Sequence, residues 1–243
     1  MRCPRGGLEV GGEQVRRVEG ARFLGVWVDE GLGWEGHIGQ VRARVGRLLG
    51  VLGRASAALG RGSLLLLYNG LVLPHLQYCL MVWGDFEGGG NVVLGGALLR
   101  YQKQFARLVE GTRGLYHADP LFARHGMLKV GDLYRQQLRV HAWRFWRGRL
   151  PENQAAMLRR AGDVHGHATR AARSGLFLST RDHRAVGYRV PTEWGTLSEG
   201  QRGVGSLGAF KRGSRAGFLA GYGSFVCRRV GCVACAGGWE EEE

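Results

Sequence analysis

Lysine is almost absent from this chain: of its 34 basic residues only Lys103, Lys129 and Lys211 are lysine, and the rest are arginine. Proline is also scarce, with 5 in 243 residues, so few points force a helix to stop. The 5 cysteines are an odd number, which excludes a complete set of internal disulfides. Met1–Gly12 has no apolar core of the kind a secretory signal needs, so the thiols are expected to be reduced and the location intracellular, nuclear or cytoplasmic. Long apolar runs are few. Ser63–Gly84 holds 22 residues without a formal charge, near spanning length. Asn69, Pro74, His75 and Gln77 within it are costly in hydrocarbon, which predicts a buried core helix bent at Pro74 and no membrane partner. There is no Asp-Asp pair, no G-x-S-x-G, no Walker A sequence and no H-E-x-x-H, so no signature points to a hydrolase, P-loop NTPase or zinc protease.

What is abundant is glycine, 43 of 243 residues, about two and a half times the roughly 7% of ordinary proteins and without a collagen period. Hydrophobic residues at 44% still suit a globular chain. The net charge of +14 is unevenly spread. Residues 1–120 carry 14 basic and 10 acidic side chains, whereas residues 121–239 carry 20 and 6 before the closing Glu240–Glu243. A basic second half with arginine as its cation suits phosphate, because the guanidinium fork grips two oxygens at once.

Read in order, Arg22–Val28 is a strand followed by a turn at Asp29-Glu30-Gly31. Trp34–Leu59 then reads as an amphipathic helix. Ile38, Val41, Val45, Leu48, Leu49 and Leu52 share one arc, and Arg44, Arg47 and Arg54 form a stripe opposite. Arg61–Trp83 is a second helical stretch. Asn91 can cap a third that ends near Glu110 and shows Arg100, Lys103 and Arg107 on its polar face. Pro120 opens a short helix, and Val130 begins a longer one with Arg135, Arg139, Trp143, Arg144, Phe145, Trp146, Arg147 and Arg149, closed by Pro151. Arginines among aromatics either stack bases and hold phosphates or snorkel over core-facing rings. From Ala161 onward periodicity is lost, and only Leu207–Leu219 suggests a short helix.

Several local motifs are weak. Gly31-x-Gly33-x-x-Gly36 lies between strand and helix as a dinucleotide fingerprint should, but a chain this rich in glycine produces the pattern by chance. Asp29 and Glu30 would repel a pyrophosphate, and no acid for a ribose lies between Glu35 and Asp85. His117-x-Asp119 has the outline of an iron site without strands to complete it. Cys227-x4-Cys232-x2-Cys235 is more specific, since three thiols can share one soft metal. Zinc there would need a fourth donor, first His183 and otherwise His165 or His167. The spacing also suits part of a plant-type iron–sulfur run whose fourth cysteine could only be Cys3 or Cys79, so zinc at these cysteines is the cofactor the residues suggest first.

A longer ordered set spans residues 20–220. It runs Phe23-Leu24-Gly25-Val26, Trp34-x-x-His37-Ile38, Leu65–Tyr68, Leu71-x-x-Pro74-His75-Leu76-x-Tyr78-Cys79 and Val82-Trp83-Gly84. Leu99-x-x-Gln102-Lys103-x-x-Ala106-Arg107-Leu108, Pro120-Leu121-Phe122 and Asp132-Leu133-Tyr134 follow. His165-x-His167-x-Thr169-Arg170, Tyr188-Arg189-Val190-Pro191-x-x-Trp194 and Ser206–Lys211 complete it. This set resembles the part of non-LTR (LINE, jockey-like) retrotransposon reverse transcriptases that follows the palm, with Gly195 where the family has asparagine.

The resemblance implies a primer-grip hairpin at 17–33 containing Phe23, Leu24 and Gly25, after a disordered N-terminus at 1–16. It implies a thumb-like helical bundle at 34–158 and a poorly ordered basic C-terminal region at 159–243. The fold class expected is mainly α. The function implied is a non-catalytic fragment of an RNA-directed DNA polymerase. It would bind the template–primer backbone through Arg44, Arg47, Arg54, Arg100, Lys103, Arg107, Arg135 and Arg139, with the palm and fingers of the parent polymerase as its other partner. No catalytic residue is expected, since two-metal phosphoryl transfer uses palm carboxylates that this sequence does not contain. Two alternatives stand beside it. One is a structural or protein-interaction module from a decayed element. The other rests on Phe23–Leu59, which also resembles an N-terminal segment attached to some alkylated-nucleic-acid repair dioxygenase homologues.

Overall fold

Two glycine-assisted turns open the described chain, which in this computed structural model comprises residues 8–86, 92–112, 117–164, 175–183 and 185–223. Strands β1 (Leu8–Val10) and β2 (Glu13–Val15) pair antiparallel around Gly11-Gly12, whose φ angles of 62° and 86° are both positive. A two-residue hairpin turn needs that pair of conformations to match strand twist. This hairpin occupies a segment expected to be unstructured; the turn signal was hidden in a sequence where glycine is everywhere. Strands β3 (Gly20–Phe23) and β4 (Val26–Asp29) form the expected second hairpin around Leu24-Gly25, in a separate two-stranded sheet.

The rest of the described chain is mainly helical. Helix α1 (Glu35–Ala55) buries Ile38, Val41, Val45 and Leu52, as its apolar period predicts. Its N-terminus has no cap of its own; Asp29, at the end of β4, accepts from the amides of Gly33 and Trp34 at 2.8 and 2.9 Å. Those amide bonds hold the Asp29 carboxyl below its ordinary range. The glycine-rich loop therefore turns its N–H groups onto an internal carboxylate, which is where a dinucleotide phosphate would have to sit. Gly36 has a packing role: a Cβ there would come within 2.8 Å of the Trp27 ring.

Residues 61–83 are not the single helix expected but a run of short helical elements. Helix α2 (Arg61–Leu67) widens into a π turn over Tyr68–Val72, in which the Leu73 amide reaches back to Tyr68 O. Pro74, which has no N–H, then falls in the first turn of α3 (Leu73–Gln77), where none is required. The chain breaks later, at Tyr78 and at Cys79, whose φ is 49°, before α4 (Leu80–Trp83).

Helices α5 (Val92–Glu110), α6 (Ala118–Arg124) and α7 (Val130–Trp146) form the centre. Gln102 ties them together while fully buried. Its amide donates to Tyr68 Oη at 2.8 Å and Leu128 O at 3.0 Å, and its Oε1 accepts the Val130 amide at 2.7 Å. Burial pushes the Tyr68 phenol up to about 12, so it stays a neutral partner. His117-x-Asp119 is a helix start, with His117 Nδ1 accepting from Asp119 N and Asp119 paired to Lys129 at 2.9 Å.

Short helices α8 (Glu152–Ala155) and α9 (Ala161–Val164) lead to α10 (Val186–Gly195), α11 (Glu199–Gly203) and α12 (Leu207–Gly223). The segment expected to be largely irregular is therefore helical over most of 186–223, and it completes the core. Phe210, Ser214, Phe218 and Tyr222 recur every four residues on the buried face of α12, a period disguised by intervening glycine and arginine. One hydrophobic cluster runs from Ile38 to Tyr222 and includes Trp83, Trp143 and Trp194, each fully buried. No described helix is long and apolar enough to cross a membrane.

Candidate nucleic-acid interface

A cleft of about 530 Å³ opens between the second hairpin, α1 and α3. Helix α1 contributes His37, Gln40, Val41, Arg44 and Arg47, at spacings that keep them on one stripe. The hairpin supplies Arg22 and Gly25, and the opposite wall is Pro74, His75 and Tyr78. Among the described residues no carboxylate lines it. Arg22, Arg44 and Arg47 are exposed, so their guanidiniums remain hydrated and available to an anion.

The two histidines register this field. His37 is held below its ordinary pKa by burial and then by Arg22; His75 likewise by burial and then by Arg44. The Trp27 amide donates to His37 Nδ1 at 3.3 Å, which fixes the tautomer with its proton on Nε2. That Nε2 is buried and has no hydrogen-bond partner among the described residues.

The hairpin tip stands beside the cleft. Phe23 and Leu24 are 68% and 74% exposed, high values for side chains of this size. Tyr78 Oη donates to Leu24 O and pins the tip against α3. Leu24 adopts φ 47°, a conformation that a branched apolar residue adopts only at a cost. Asparagine tolerates it better, so Leu24→Asn is expected to raise stability by roughly 0.5–1 kcal/mol. Thermal unfolding reads this directly, and a lower midpoint in the variant would mean that Leu24 carries packing its exposure does not show.

The structure gathers some of the predicted residues and disperses others. Gly25, Arg44 and Arg47 line the cleft, with Phe23 and Leu24 on its rim. Arg54 shares the stripe but sits two turns, about 10 Å, beyond Arg47 and outside the cleft. Arg100 is exposed on α5, and Lys103 and Arg107 lie near His117, whose pKa they help to depress behind the larger effect of burial. None of the three reaches the cleft.

The structure places Arg135 and Arg139 in internal ion pairs and not at the cleft. Arg139 is buried and donates to Glu193 at 2.6 Å, and Arg135 donates to the other Glu193 oxygen at 3.1 Å. Both lie over the Phe218 ring, so they serve the core rather than an outside phosphate. The aromatics of α7 likewise face inward. Trp143 is fully buried beneath Arg147 and Arg149, and Arg160 covers Trp146. His183 stacks edge-on to Tyr188 at 4.2 Å, whereas Cys227, Cys232, Cys235, His165 and His167 lie outside the described residues. Among the described residues no three His, Cys, Asp or Glu side chains stand close enough to hold a metal ion.

Sequence reasoning did not assign Arg22, His37, Gln40, His75 or Tyr78 to the site. Arg22 was the most accessible of these, as the lone cation beside the hairpin tip, while the others became visible only once α3 folded against α1. Comparison with family models, with curated proteins and with solved structures returns no match.

Proposed function

We propose that this chain grips the sugar–phosphate backbone of a template–primer duplex as the thumb-like, non-catalytic part of a reverse transcriptase of the non-LTR retrotransposon kind. The supporting observation is the cleft itself: three exposed arginines and two histidines, no carboxylate among the described residues, and an exposed apolar hairpin tip at the rim. Phosphate oxygens need cations and donors in a register that does not depend on base identity, and sugars accept apolar contact. Arg22, Arg44 and Arg47 meet the first requirement, and Phe23 and Leu24 the second. Phosphoryl transfer by polymerases needs carboxylates gathered around two metal ions, and the sequence has no Asp-Asp pair to begin such a set. The reading therefore assigns binding alone.

Binding governed by arginine–phosphate contacts releases counterions. Fluorescence anisotropy with a labelled RNA–DNA duplex should give a slope of log K against log salt of roughly −3 to −6, with little dependence on sequence. Replacing Arg44 and Arg47 together by alanine should flatten that slope by about 2. Affinity that ignores salt, or a slope the double variant leaves unchanged, would favour a protein-interaction module instead.

A further inference from the structure

A second cleft of about 530 Å³ lies on the other side of the segment that walls the first. Gln77 and Met81 form one wall, Gln136, Gln137, Val140, His141 and Arg144 of α7 its floor, and Lys211, Arg212 and Arg215 of α12 the far wall. Arg144, Lys211, Arg212 and Arg215 are all exposed, and among the described residues no carboxylate lines this cleft either. Two hydrogen bonds set its width: Gln137 Nε2 donates to Gln77 O at 2.9 Å, and Gln136 Nε2 donates to Lys211 O at 3.2 Å. Arg215 is anchored by donation to Gly126 O.

Between the clefts runs an apolar ridge. Leu66, Pro74, Tyr78 and Val82 are exposed along the outer edge of residues 61–83, with no charged side chain from Ser63 to Gly84. His75 and Tyr78 face one cleft and Gln77 and Met81 the other. Apolar surface flanked on both sides by acid-free cationic clefts is an arrangement that costs solubility unless something covers it.

We infer that a nucleic-acid duplex sits astride this ridge, with the phosphates of one strand in the first cleft and those of the other strand in the second. The inference rests on the nucleic-acid reading above and adds to it a second binding site, Arg144, Lys211, Arg212 and Arg215. Dimensions agree for a B-form duplex: a helix with its side chains is about 10 Å across, and the major groove between the two phosphate rows is about 12 Å wide. The ridge meets sugars and base edges, where apolar contact is tolerated, while each bank of cations meets one phosphate row. A single strand can occupy only one cleft at a time along a short length, so the second cleft should discriminate duplex from single strand.

The test compares the full chain with the variant Lys211→Ala/Arg212→Ala/Arg215→Ala on two probes, a duplex of about 20 base pairs and a single strand of about six nucleotides. Because Arg215 also holds Gly126, Lys211→Glu/Arg212→Glu with Arg215 intact serves as the second variant. For the duplex, the triple variant should flatten the salt slope by about 2–3 and lower affinity at least tenfold near 0.1 M salt. Affinity for the short strand should fall less than about threefold, since the first cleft can hold it alone. If both variants bind duplex like the parent while Arg44→Ala/Arg47→Ala weakens it, the second cleft is no site and the nucleic-acid reading survives without it. If the parent chain binds neither probe in a salt-dependent way, both readings fall together. Equal losses on duplex and short strand would also overturn the straddling geometry, since they would place both probes in one cleft.

Discussion

Glu193→Ala is expected to destabilise the protein by about 3–5 kcal/mol, the range for breaking a buried ion pair from one side. Glu193 is 8% exposed and joins α10 to α7 by accepting from Arg139 Nε at 2.6 Å and Arg135 Nε at 3.1 Å. Its loss would leave the Arg139 guanidinium inside the core with only Thr196 Oγ1 at 3.3 Å and Ser214 Oγ at 3.4 Å as neutral acceptors. Neither supplies a countercharge, and the cation–π contact with the Phe218 ring at 4.3 Å cannot replace one. Desolvation decides the sign, because a buried cation without an anion costs more than the alanine cavity. Replacing both partners by apolar residues of similar volume, as in Glu193→Met with Arg139→Leu, should recover most of the loss. Urea unfolding of the three proteins measures it, and a single variant within about 1 kcal/mol of the parent would show that water enters beside Arg139.

The opposite effect is available from glycine. Gly39 and Gly53 in α1 and Gly213 and Gly217 in α12 are helical, and a Cβ built on any of them meets nothing within 4 Å. Alanine at such positions gains roughly 0.5–1 kcal/mol each by removing backbone freedom from the unfolded chain. The four together should add about 2–4 kcal/mol, if the sites act independently. At roughly 2–4 °C per kcal/mol for a chain of this size, the melting temperature should rise by about 5–15 °C. None of the four lines either cleft, so binding should be untouched. Gly187→Ala is the control in the other direction, because its Cβ would collide with the Ser179 hydroxyl. A fourfold variant that melts no higher than the parent would mean that helix propensity is not what limits this fold.

Legibility in the sequence followed the strength of the apolar period. In α1 the apolar residues Ile38, Val41, Val45 and Leu52 keep a helical period, so that helix and its inward face could be read directly, while α5 and α7 could be read as helices. In α12 the same period is carried by Phe210, Ser214, Phe218 and Tyr222, but a serine and several glycines dilute it below recognition. The Gly11-Gly12 turn was illegible for the converse reason, since a turn glycine is no signal where glycine is common. For the candidate site, the outward stripe of Arg44 and Arg47 was visible because helix geometry alone settles it. Arg135 and Arg139 were misassigned because their partner, Glu193, is more than fifty positions away. Helical periodicity says which face a charge occupies and nothing about what another helix brings to meet it.

The Lys129 amide donates to Tyr222 Oη at 3.1 Å across 93 positions of chain, and the same phenol donates to Asp132. Trp143 Nε1 donates to Val204 O at 2.9 Å, across 61 positions. These long closures set a timetable for biosynthesis. Translation proceeds at roughly 5–20 residues per second, so α7 leaves the ribosome on the order of 5–20 s before the helix that covers it. During that interval Trp143, Phe122 and their neighbours have no lid, and the nascent chain carries a bare aromatic groove. Recovery of folded protein from cells is therefore expected to rise at a lower growth temperature or with added chaperone, as the soluble fraction would measure.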